Sequence, residues 1–138
     1  MEVVIAESPD HVARICADSI ERLVRTERTP TLGLPTGSSP LPTYRELQRR
    51  YERGDVSFAG TRCFLLDEYV GLGAGHPQAY RSFIRREFVD RVDLGEHALF
   101  SPDGEADNLL AAAVDYDRLI ADHGGIDLQL LGIGTDGH

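Results

Sequence analysis

Three short stretches of this 138-residue chain combine glycines with side chains that can hold an anion or move a proton. The first is Gly37-Ser38-Ser39-Pro40. At a helix start, unpaired backbone N–H groups and the positive end of the helix dipole together bind phosphate. Gly37 lets the backbone approach closely, and Ser38 and Ser39 add hydroxyl donors. The Gly-Lys-Ser/Thr ending of a nucleotide-binding P-loop is missing, so the turn is no P-loop. Taken alone, it also fits an ordinary capped turn. The second stretch is Asp67-Glu68, which ends an otherwise apolar run. A carboxylate that loses hydration at the mouth of a pocket gains proton affinity and becomes a usable base. Adjacent acids on a strand point to opposite faces, so one can face the pocket while the other meets a partner or solvent. Asp67, directly after the apolar run, is the candidate base, and the competing reading is a pair of solvated loop acids. The third stretch is Asp136-Gly137-His138. Histidine exchanges protons near neutral pH, and Asp136 could fix its tautomer or flank the same substrate. A metal site is a thin alternative, because His76 is the one further loop histidine to add. His11, His97 and His123 make no case for chemistry.

These groups act together only if the chain gathers them. Residues 3–6 read as a short buried strand. Ser8 caps a helix that opens with Pro9 and carries Val12, Ile15, Cys16, Ile20 and Leu23 on one face, ending between Arg25 and Arg28. Residues 31–34 are a second strand. Ser39 as cap and Pro40 as first residue then start a helix with Leu41, Tyr44, Leu47 and Tyr51 in register. Residues 61–66 form a third strand, and His76-Pro77 opens a helix with Tyr80, Phe83, Ile84 and Phe88 on its apolar side. Residues 98–100 suit a short strand. The helix over 108–121 aligns Leu109, Ala113, Tyr116 and Ile120 and stops at Gly124-Gly125. Residues 126–131 are the clearest strand, with a glycine-rich exit over 132–138. Alternating strands and helices predict an α/β fold, a Rossmann-like parallel sheet with helices on both faces and right-handed crossovers. Ligands of such sheets bind at the carboxyl ends of the strands. All three unusual loops lie at such ends and are expected to converge on one edge. Joined there, a phosphate cradle, a carboxylate base and a His–Asp unit suit aldose–ketose proton transfer.

Composition narrows the partners. Hydrophobic residues make up 41% and charged residues 27%, as in an ordinary globular domain, and the length suits a single domain over 1–138. Fourteen basic residues against 23 acidic give a net charge of −9, which argues against nucleic acid as a partner. A phosphate must then be held by local amides against the global field. No apolar run approaches the ~20 residues needed to span a bilayer, and the N-terminus is unsuited to a signal peptide, so no membrane partner is expected. Cys16 and Cys63 read as buried free thiols, which makes a reducing cytoplasm the expected location.

The blocks Leu32-Gly33-Leu34-Pro35-Thr36-Gly37-Ser38-Ser39-Pro40, Leu66-Asp67-Glu68-Tyr69-Val70-Gly71-Leu72 with His76-Pro77-Gln78-Ala79-Tyr80, and Gly132-Ile133-Gly134-Thr135-Asp136-Gly137-His138 closely resemble the glucosamine-6-phosphate deaminase family, in its order and at its spacing. The resemblance implies conversion of glucosamine 6-phosphate and water to fructose 6-phosphate and ammonia, with no metal and no cofactor. It implies that Gly37, Ser38 and Ser39 bind the substrate phosphate, that Asp67 carries the C2 proton to C1, and that His138, supported by Asp136, opens the pyranose ring. The related 6-phosphogluconolactonases usually read Asp-Glu-Arg in the second block. Asp67-Glu68-Tyr69 favours the deaminase. A non-catalytic sugar-phosphate binding module is a third reading, disfavoured because simple binding needs neither Asp67 nor His138. The family continues beyond this histidine, through a stretch whose glutamate completes the ring-opening unit and later basic residues that complete the phosphate site. The C-terminal part of the fold is therefore expected to be missing here, leaving an open sheet edge and either a fragment of a longer protein or a chain inactive alone. A small-molecule sugar phosphate is the expected partner, and a homo-oligomer is compatible with the sequence.

Overall fold

A computed structural model describes all residues except Met1, Ala74, Thr135, Asp136 and His138. The elements, in chain order, are α1 (Pro9–Thr26), β1 (Thr31–Leu34), α2 (Leu41–Glu52), β2 (Arg62–Leu65), α3 (Tyr80–Glu87), a 3-10 turn (Val89–Arg91), β3 (Leu99–Phe100), α4 (Leu109–Asp122) and β4 (Leu128–Gln129). The four strands form one parallel sheet in the order β3-β2-β1-β4.

That order dictates the layers. From β1 the chain steps outward through α2 to β2 and through α3 to β3, then returns past β1 to β4. Right-handed crossovers in opposite directions along a sheet place their helices on opposite faces. Side-chain alternation agrees. Leu32 and Leu34 of β1, Cys63 and Leu65 of β2 and Leu99 of β3 share a core with Ala17 and Ile20 of α1, Tyr44 and Leu47 of α2 and Ile84 of α3. Phe64 points the other way. It stacks on Phe100 at 4.6 Å and meets Tyr116 and His123, at the α4 side of the sheet. The Tyr116 hydroxyl donates to the Leu65 carbonyl at 2.7 Å, pinning α4 across β2. Gly33 faces this side too. The Gln129 side chain fills the space a Cβ there would need.

Local chemistry sets the helix ends. Ser8 accepts from the His11 amide at 3.2 Å with Pro9 at the start of α1, and Asn108 accepts from the Ala111 amide at 3.1 Å at the start of α4. Gly124 closes α4 with a φ of +89°. α1 and α2 are bolted together by the buried Arg50, whose guanidinium reaches Glu46 at 2.9 Å, Glu21 at 2.8 Å and Asp18 at 2.7 Å.

Four expectations need correction. Residues 3–6 form no strand, and Ile5 is 94% exposed, because no ladder partner runs alongside them among the described residues. Helix α2 starts one residue late: Pro40 is its cap position and Ser39 makes no capping bond. Residues 76–79 form a turn before α3, closed by the Ala79 amide donating to the His76 carbonyl at 3.0 Å. The strand expected over 126–131 narrows to Leu128–Gln129, although the Asp127 and Leu130 amides still donate to the Thr31 and Gly33 carbonyls. Among the described residues β1 is the one neighbour of β4 in the sheet, which puts β4 at its edge, and Leu131 beyond it is 65% exposed.

Candidate functional site

Parallel strands discharge their loops at one edge, and register decides which loops touch. Leu34 of β1 pairs with Leu65 of β2, and Gly33 pairs with Gln129 of β4. Neighbouring strands lie about 4.8 Å apart, so residues 35–39, 66–69 and 130–132 emerge side by side. The strand order reverses between β1 and β4, and such a switch point opens the crevice where open α/β sheets bind ligands.

The turn after β1 is fixed from below. The buried Tyr44 hydroxyl donates to the Pro35 carbonyl at 2.6 Å. Gly37 takes a φ of +92°, a left-handed conformation that most side chains avoid. Leu41 then donates to the Ser38 carbonyl at 3.3 Å. Gly37, Ser38 and Ser39 are exposed, and their amides donate to no protein group among the described residues. Three free donors at the start of a helix are what an anion requires. The exit of β4 closes in from the other side. A Cβ on Gly132 would stand 2.6 Å from the Ser39 hydroxyl, so the absence of a side chain at 132 lets the two turns touch.

Asp67 lies two residues beyond β2, at the surface of this edge. Its carboxyl is pushed above the ordinary aspartate value, first by partial loss of hydration and second by the charge of Glu68 beside it. Glu68 turns inward instead and accepts from the amides of Tyr69, Tyr80 and Arg81. Both acids lie beyond the end of β2, so their different surroundings come from the loop and not from strand alternation. The Tyr80 hydroxyl donates to that of Tyr69 at 3.1 Å, with ring centroids 4.5 Å apart. Tyr80 also lies within electrostatic reach of Asp67 and of the Thr36 hydroxyl, and its own hydroxyl is pushed up to about 12, chiefly by the bond to Tyr69. Gly37, Tyr69, Leu72, Gln78 and Tyr80 line one cleft of about 560 Å³. The anion turn and the loop after Asp67 therefore share a wall.

Of the residues singled out from sequence, Gly37, Ser38, Ser39 and Asp67 meet at this edge, with Gly132 against them. Asp136 and His138 lie outside the described residues, although Gly137 between them has a φ of +87° and donates to the Gly134 carbonyl. His76 stands in the turn before α3, where its Nδ1 accepts from the Gln78 amide at 3.2 Å. Sequence reasoning missed Tyr69, Tyr80 and Thr36. Helical spacing assigned Tyr80 to a core face. The signal overlooked was its hydroxyl, which needs a polar partner wherever the ring is packed.

Comparison with known proteins places this geometry. A family model described as glucosamine-6-phosphate isomerases/6-phosphogluconolactonase matches residues 6–138. The glucosamine-6-phosphate deaminase of Beutenbergia cavernae is 55% identical over the whole chain, and that of Rhodococcus opacus 54%. Each alignment covers 100% of this chain and 53% of the relative, so the chain spans about half the length of the curated relatives it matches. A solved monomeric glucosamine-6-phosphate deaminase superposes with a TM-score of 0.95 at 33% identity, over 100% of this chain and 57% of that one. The 6-phosphogluconolactonase of Thermotoga maritima shares the fold, with a TM-score of 0.78 at 21% identity over 99% of this chain and 61% of that one. These matches show that the chain belongs to the glucosamine-6-phosphate isomerase/6-phosphogluconolactonase family.

Proposed function

We propose that this chain supplies the substrate cradle and proton-transfer base of a glucosamine-6-phosphate deaminase. The observation that carries the proposal is that the exits of β1 and β2 leave the sheet side by side, with Gly37 of one and Tyr69 of the other lining one cleft. Free amides and two hydroxyls before α2 give the phosphate its first donors in a chain of net charge −9. His138, oriented by Asp136, opens the pyranose ring by moving a proton from O1 to the ring oxygen. The aldehyde now at C1 acidifies the C2 proton. Asp67 removes that proton and returns it to C1, while a proton passes from the amino nitrogen to O1, leaving a hydroxyl at C1 and an imine at C2. Water adds to the imine, ammonia departs, and fructose 6-phosphate remains. Each step is proton transfer or hydrolysis, so no redox partner enters. The raised proton affinity of Asp67 suits both taking and giving a proton. The identity of 50–55% to relatives named as deaminases favours this reaction over lactone hydrolysis. The free thiols Cys16 and Cys63 fit a reducing cytoplasm.

The test is ammonia release from glucosamine 6-phosphate by the full-length protein. The wild type is expected to turn over, and Asp67→Asn to lose activity by about 10²-fold or more. Acid release from 6-phosphogluconolactone in place of ammonia would reassign the reaction. Binding without either turnover would reduce the site to a sensor. Normal activity in Asp67→Asn would remove Asp67 from the chemistry.

A further inference from the structure

Glu68 is buried in function though not in sequence position: it neighbours the proposed base, yet its carboxylate is spent on backbone. Oε1 accepts from the amides of Tyr69 and Tyr80, both at 2.8 Å, and Oε2 accepts from the amide of Arg81 at 2.9 Å. Tyr80 and Arg81 are the first two residues of α3, whose cap position, Ala79, offers no side-chain acceptor. Glu68 thus supplies from a distant segment the cap that α3 lacks, and its charge meets the positive end of that helix. The Tyr69–Tyr80 hydroxyl bond runs parallel to this tie. One side chain therefore joins the exit of β2 to α3, and the residue held between the strand and that joint is Asp67.

We propose that Glu68 is a positioning residue for Asp67: by bridging the end of β2 to the first turn of α3, it holds the base at the sheet edge beside the Gly37–Ser39 turn. The proposal rests on Asp67 being the base. Because amides occupy both of its oxygens, Glu68 acts through Asp67 and not on the substrate. Its charge has a second consequence. Asp67 is raised in proton affinity first by lost hydration and then by Glu68. The groups facing the pair are the Tyr80 hydroxyl from α3 on the Asp67 side, and Arg81 from α3 with Asp103 and Glu105 from the loop after β3 on the Glu68 side. Of these, Glu68 alone adds a negative charge directly beside Asp67.

The experiment measures kcat, KM and the pH profile of kcat/KM for ammonia release by the full-length protein and three variants. In Glu68→Gln the amide nitrogen cannot accept from α3, so kcat is expected to fall about ten- to hundredfold through misplacement of the base, with KM changed less than about threefold. The acid limb of the profile is expected to move to lower pH, since the neighbouring charge is gone. Glu68→Asp keeps the charge and shortens the reach, so kcat falls while the limb stays. An unchanged kcat and an unmoved limb in Glu68→Gln, with Asp67→Asn inactive, would overturn the positioning role and leave the base intact. An active Asp67→Asn would instead sink the base assignment, and this proposal with it. If circular dichroism shows Glu68→Gln unfolded, Glu68→Asp decides: wild-type kcat overturns the proposal and reduced kcat with the limb retained upholds it.

Discussion

Asp67 sits in a place that suits chemistry better than stability. Its carboxyl binds a proton more tightly in the folded chain than in the unfolded one. A raised acid costs the native state stability at every pH above its folded value, and the cost vanishes below the unfolded value of about 3.9. Asp67→Asn is therefore expected to raise the melting temperature at pH 7 and to match the wild type near pH 3. Thermal melts across that range check the sign. A variant that melts lower at pH 7 would mean that the ionised form is stabilised here. Glu68, one residue away, gives its carboxylate to three backbone amides. Two neighbouring acids serve different ends because the loop leaving β2 turns Glu68 to the amides of α3 and leaves Asp67 exposed.

At the scale of elements, the α1–α2 pair is the platform beneath the anion turn. Tyr44 ties α2 to the turn itself through the Pro35 carbonyl, and Arg50 ties α2 to α1. Arg50 is buried, so removing it leaves carboxylates without their partner in a poorly hydrated place. Arg50→Ala is expected to cost about 3 kcal/mol, the lower end for such a loss, because Glu21 keeps Arg25 and Glu46 keeps Arg49. Urea titration measures it, and a loss below about 1 kcal/mol would show that the network contributes little. Substrate affinity should move with stability only if the platform tilts the turn.

Across the whole molecule, the site depends on loops from opposite directions of the sheet touching at the switch point. The narrowest contact is Gly132 against the Ser39 hydroxyl. Gly132→Ala is expected to push Ser39 aside, lowering stability and raising KM for the sugar phosphate more than it lowers kcat. Ser39→Ala removes the oxygen that the new methyl would strike. The double variant should therefore recover stability, with a coupling of about 1 kcal/mol in a thermal double-mutant cycle. Additive effects would mean that the β1 and β4 exits are not in contact.

Much of this was legible in the chain because the signals are local. The Ser8-Pro9 cap, the glycines that close α4, the strand–helix alternation and the turn at Gly37 all report on neighbours within a few residues, and the structure places them as read. The strand expected at residues 3–6 failed because a strand exists only where a ladder partner runs beside it. The helix expected from His76 failed because its start is set by Glu68, twelve residues before Tyr80, which caps α3 from outside. The sequence by itself determined which groups could bind an anion and carry a proton, since residue type fixes hydrogen-bonding and acid–base capacity. Only the tertiary structure decided that Asp67 lies exposed at the sheet edge while Glu68 faces backbone, that Tyr80 reaches the loops, and that Gly132 rests on Ser39. Those facts follow from strand register and crossover hand, which bring together residues far apart along the chain.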